Sequence, residues 1–169
     1  DKSKKYHKEY LKKWRMENKE RLEAKKLANI EERRMYSAKY SRKKRATDLK
    51  FVLSQRMSAR MNIALKERGK SKMRKSWEEL AGYSVEDLQG HIKQHFSKDM
   101  TWDAVLNGDI HIDHKIPISA FNFASVNDLD FKRCWALSNL QPLWAKDNII
   151  KRNGLNKPFQ PMLRMEVQQ

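Results

Sequence analysis

The sequence predicts an α+β fold, a small mixed body preceded by a long basic helical arm. Three observations predict it. Neither proline nor glycine occurs before Gly69, in a stretch rich in Lys, Glu, Arg, Leu, Met and Ala, and that composition favours helix. Charge divides the chain near the same place: residues 1–75 carry 27 Lys and Arg against 9 Asp and Glu, and residues 76–169 carry 10 against 12. Finally, Ile110-His111-Ile112-Asp113-His114 follows an Asn107-Gly108 turn and alternates apolar with polar, as a half-buried strand does.

A length of 169 residues suits one ordinary domain, or a small domain with an appendage. The formal charge of +16 points to a polyanionic partner, nucleic acid before membrane. One cysteine, Cys134, excludes a disulfide framework and a multi-thiolate zinc site. With no run of 18 apolar residues, nothing is expected to span a bilayer, and no membrane partner is expected. The opening Asp1-Lys2-Ser3-Lys4-Lys5 lacks the apolar core of a secretory signal, so an intracellular setting is expected.

Residues 1–46 read as the arm, 47–75 as a connecting amphipathic helix and linker, and 76–169 as the body. In the arm, Tyr6, Tyr10 and Trp14 fall at helical spacing, and Tyr36 and Tyr40 repeat the tyrosine pair. So little apolar surface precedes residue 45 that these helices are expected to be ordered mainly by a partner. Lys12, Lys13, Arg15, Arg33, Arg34, Arg42, Lys43, Lys44 and Arg45 are its candidate phosphate contacts. From Thr47 a stripe of Leu49, Val52, Leu53, Met57, Met61, Ala64 and Leu65 predicts a helix packed on the body. Its other face carries Lys50, Arg56, Arg60, Lys66 and Arg68.

The body opens with Trp77 to Leu80 and a turn at Gly82. Ser84 and Asp87 then form a capping box for a helix that buries Val85, Leu88, Ile92 and Phe96. The strand Ile110–His114 ends before Pro117. Residues 119–131 read as a loop, Leu137 to Trp144 as a second extended piece, and Asp147 to Arg152 as a short helix with a glycine stop at Gly154.

The polar residues between His111 and Lys151 have the makings of phosphodiester chemistry. Asp113 supplies a hard anionic oxygen suited to Mg²⁺ or Mn²⁺. His114 supplies a base whose ordinary pKa lies near neutrality. Asn148 supplies a neutral amide oxygen. Two protein ligands would leave coordination positions for phosphate and water. Strand alternation sends Asp113 and His114 to opposite faces, so the backbone is expected to turn there. His111 is either a contact behind the site or a partly exposed strand residue, and Lys151 and Lys115 are candidate phosphate contacts.

Three blocks in order, Ile112-Asp113-His114-Lys115-Ile116-Pro117-Ile118-Ser119, Leu137-Ser138-Asn139-Leu140-Gln141-Pro142-Leu143 and Asn148-Ile149-Ile150-Lys151, resemble the HNH endonuclease family of the His-Me finger group. Leu80-Ala81-Gly82-Tyr83-Ser84, the His91 to Phe96 helix end and Met100-Thr101-Trp102 are similar to its phage-type branch. The resemblance covers about residues 77–152. It implies a ββα-metal core and hydrolysis of double-stranded DNA with one divalent metal ion, Mg²⁺ or Mn²⁺. By matching position, His114 would be the general base, Asp113 and Asn148 metal ligands, and Asn139 the residue that holds the base-bearing loop. A nicking or homing-type enzyme of phage or mobile-element origin is implied, acting in a bacterial cytoplasm as monomer or homodimer.

Two departures bear on this. No Cys-X-X-Cys pair exists, so no structural zinc is expected, and Trp135, Leu137, Leu140, Leu143 and Trp144 would supply packing instead. Asn148 also stands where many members carry His. The rival expectation is a non-catalytic DNA-binding or packaging protein that retains the HNH fold.

Overall fold

The computed structural model describes residues 2–155 and 158–161; residues 156–157 and 162–169, at the end of the span read as the body, lie outside the described residues. The fold is α+β, mostly helical with one two-stranded antiparallel sheet. The chain divides between Lys43 and Lys44 into two compact units.

The first unit is built from α1 (Lys2–Glu17) and the greater part of α2 (Lys19–Thr47). No residue of α2 is buried, and Tyr6, Tyr10, Trp14, Tyr36 and Tyr40 are all exposed. A helix with neither an apolar stripe nor burial has only intrinsic propensity and charge pairing to hold it, which are weak supports.

The second unit begins with α3 (Leu49–Lys66), capped by Asp48, whose carboxylate accepts from the Phe51 N–H at 3.0 Å and from Lys44 at 2.8 Å. Those two bonds, the lysine's foremost, hold the Asp48 carboxyl below its ordinary pKa. Val52, Leu53, Met57, Met61, Ala64 and Leu65 are buried, which is the stripe read from the sequence. They pack against α4 (Trp77–Ala81), α5 (Val85–Gln94) and α6 (Trp102–Asn107). The Ser84–Asp87 capping box forms in full.

The sheet pairs β1 (Ile110–His114) with β2 (Leu140–Trp144), with Ile110 opposite Trp144 and His114 opposite Leu140. From α5, the His91 Nε2–H donates to the Leu140 carbonyl at 3.0 Å and so docks the helix on β2. Tyr83 reaches the Trp135 carbonyl at 2.8 Å. α8 (Ala145–Lys151) packs on both strands. Trp135 and Leu140 are fully buried, whereas Leu137 and Trp144 pack only in part.

Two local expectations need correction, and one element was not foreseen. The segment read as a loop over 119–131 holds a 3-10 turn at Ile118–Ala120 and the start of α7 (Leu129–Trp135). Seven residues are too few to show a helical period, yet Phe131, Cys134 and Trp135 bury on one side. Helix α6 is likewise a single Thr101-capped segment too short for periodicity to reveal. The stop after α8 is Arg152, at φ 48°, rather than glycine itself. Gly154 serves a different purpose: its N–H bonds the Lys151 carbonyl at 2.8 Å, and a Cβ there would sit 2.9 Å from that oxygen.

Met61 is wholly buried in this core. Met61→Ala should therefore cost about 2–5 kcal/mol, read as a lower urea midpoint at unchanged slope. A loss under about 1 kcal/mol would mean that α3 does not pack as described.

Candidate active site

Strand β1 and helix α8 bring together most of the residues singled out from the sequence. A cleft of about 870 Å³ is lined by His111, Asp113, His114 and Asn148, with Arg56 and Arg60 of α3 on its wall. Asp113 and His114 both line it while still paired in the ladder with Gln141 and Leu140. No turn between them is needed, contrary to the expectation from strand alternation; the chain bends after His114 instead.

His114 is buried, edge-on to Trp135 at 4.8 Å between ring centroids. Its Nε2 is buried with no hydrogen-bond partner among the described residues. Burial pushes the imidazole pKa down to about 4; the Arg60 charge adds to this, Asp113 opposes it and Lys151 adds a little more. The ring is thus neutral at pH 7, with a lone pair available.

Asp113 spends one oxygen on its own surroundings. Its Oδ2 accepts from Gln141 Nε2 at 3.0 Å and from Lys151 Nζ at 2.5 Å. The ion pair is nearly buried, with 11 % and 10 % of the two side chains exposed. Lys151 also donates to the His114 carbonyl. It ties α8 to the end of β1, so its ammonium is engaged with the carboxylate. Asn148 donates from its amide to His111 Nδ1 at 2.9 Å, which places His111 behind Asn148 on the cleft wall.

Asn139 is the most fully bonded of the set. Its Oδ1 accepts from the Ile116 N–H at 2.9 Å, and its Nδ2 donates to the carbonyls of Ile116 at 3.1 Å and Cys134 at 2.9 Å. Its own carbonyl accepts from the Lys115 N–H at 2.7 Å. One side chain thereby fastens the segment after His114 to the end of α7. Lys115 is not brought to this cleft. Its ammonium donates to the Ser138 carbonyl at 2.9 Å and it lines a separate cavity of about 590 Å³.

The oxygens that remain are of the hard type a divalent cation takes. Among the described residues Asp113 Oδ1 and Asn148 Oδ1 accept no hydrogen bond, and both residues line the cleft together with His114. No three His, Cys, Asp or Glu side chains converge among the described residues, so a cation here would have few protein ligands and keep water or substrate in its other positions.

The basic residues read as the arm's phosphate contacts divide between the two units. Lys12, Lys13, Arg15, Arg33, Arg34 and Arg42 are exposed in the first, which also contains Lys43. Lys44 and Arg45 belong to the second, where Lys44 pairs with Asp48 and Arg45 donates to Gln55 at 2.9 Å. Sequence reasoning missed the contribution of α3: it places Arg56 and Arg60 only on the helix face opposite the apolar stripe. The available signal was their i, i+4 spacing in a helix that contains no acidic residue.

Comparison with protein-family models, with curated proteins and with solved structures finds no match for the chain.

Because Asn139 satisfies three backbone groups at once, one buried and two partly buried, Asn139→Ala should lose about 1–3 kcal/mol in urea unfolding. An unchanged midpoint would show that the clamp bears no load.

Proposed function

We propose that this protein is a metal-dependent DNA endonuclease of the HNH type, with a ββα-metal core formed by β1, β2 and α8. The observation that carries the reading is the buried, neutral imidazole of His114 on the same cleft as Asp113 and Asn148, each of which keeps an oxygen that accepts no hydrogen bond among the described residues. In this reading Asp113 and Asn148 hold the divalent ion, Mg²⁺ or Mn²⁺. Bound there, the ion would neutralise charge on the scissile phosphate and its leaving oxygen. The His114 imidazole takes the proton from the attacking water. Asn139 keeps the chain after His114 in place, so the ring does not drift from the reacting phosphate. Lys151 restrains the Asp113 carboxylate, and His111 restrains Asn148.

Double-stranded DNA is the proposed partner, held first by the exposed cations of α1 and α2. These supply affinity through counterion release rather than a readable base code. Phage or mobile-element origin, bacterial cytoplasm, and a monomer or homodimer complete the proposal. One observation favours a second reading, a DNA-binding protein that does not cut: the 2.5 Å contact with Lys151 already supplies Asp113 with a cation.

Supercoiled plasmid incubated with Mg²⁺ or Mn²⁺ should convert to open circle, and neither the chelator-treated sample nor His114→Ala should do so. Cutting by His114→Ala at the wild-type rate would remove the base assignment; binding without cutting in either metal would favour the second reading.

If the first unit grips backbone phosphates, Arg33→Gln/Arg34→Gln should flatten the plot of log affinity against log salt by up to about 1.8. An identical slope would take these two residues off the interface.

A further inference from the structure

We infer that Arg56 and Arg60 form a phosphate-gripping pair on the α3 wall of the cleft, and that they take a backbone phosphate of a nucleic-acid strand lying against His114. The inference rests on the proposed function only in taking nucleic acid as the ligand; the geometry stands without any cutting.

Arg56 and Arg60 stand at i and i+4, so they share a face of α3. That helix contains no Asp or Glu to balance them, and among the described residues neither arginine makes a hydrogen bond or an ion pair. Arg56 Nη1 is buried with no partner. Burial alone pushes the Arg56 pKa down, with no acid to offset it. Arg60 is close enough to His114 for its charge to depress the imidazole. A buried unpaired N–H and two like charges in succession are costly arrangements, of the kind that persist where a ligand relieves them.

Arg68 shows what a structural arginine looks like on the same wall. It donates to the carbonyls of Ala64 at 2.9 Å and Ile118 at 3.2 Å, and it lies over the Phe123 ring at 4.1 Å. Nothing comparable engages Arg56 or Arg60. Counting Arg152, the cleft sets four guanidinium groups against two carboxylates, Glu67 and Asp113. A ligand suited to this wall carries negative charge and several acceptor oxygens for planar forks, and a phosphodiester has both.

The test measures binding of the full chain to a labelled short DNA duplex in chelator, where no cutting occurs, across a range of salt. Arg56→Gln/Arg60→Gln should weaken binding about tenfold or more and flatten the salt dependence by about 1.8. Arg56→Lys/Arg60→Lys should keep the slope yet bind more weakly, because charge remains and the fork is lost. If the double Gln variant fails to fold, Arg60→Gln alone, at an exposed position, should still flatten the slope by about 0.9. Unchanged affinity and slope in folded variants would overturn the inference. Plasmid cutting by the wild type separates the two claims: cutting with an unchanged slope sinks the arginine pair alone, and a flattened slope without cutting sinks the nuclease reading alone.

Discussion

A pair of five-residue strands cannot hold itself together in water, because too little surface is buried to offset the loss of chain entropy. Everything at the cleft depends on that constraint. The ribbon persists because α5 and α8 pack on it and because the Asn139 amide bridges the chain after β1 to the end of α7. Without the amide, Cys134 would bury an unpaired carbonyl, the partly buried Ile116 backbone would lose two bonds, and the segment that carries His114 out of the sheet would lose its tether.

Legibility in the sequence followed length. The α3 stripe spans several turns, so Leu53, Met57, Met61 and Leu65 could be assigned inward from spacing alone. The capping box at Ser84 and Asp87 was readable because its chemistry is local. Helices α6 and α7 were not, since six or seven residues never complete two turns. At the site, residue types suggested chemistry, but partners were hidden. Nothing in the spacing of Lys151 from Asp113 says that the two pair at 2.5 Å, because that contact is made by folding α8 onto β1. The cationic wall stayed hidden for a related reason: a polar helix face reads the same whether water or a ligand covers it.

Electrostatically the cleft is divided by depth. Burial keeps the His114 ring neutral and Asp113 is matched by Lys151, so the interior is close to charge balance. Uncompensated charge lies mainly on the α3 side, where no acid within the helix faces Arg56 and Arg60, with Arg152 after α8 adding to it. This separation lets a proton acceptor and several cations coexist within one cavity, because the cations themselves help to keep the imidazole unprotonated.

Helix α3 is committed on both of its sides, one to the core and the other to the cleft. A wall of this kind has no independent softness: breathing that lifts it must also expose Leu53, Met61 and Leu65 to water. Opening of the cavity is therefore coupled to the global unfolding free energy rather than to that of a surface loop. Access for a bulky polymer must come from the open mouth of the cavity, and tolerance to mutation along α3 should be narrow, since most of its positions already answer to one neighbour or the other.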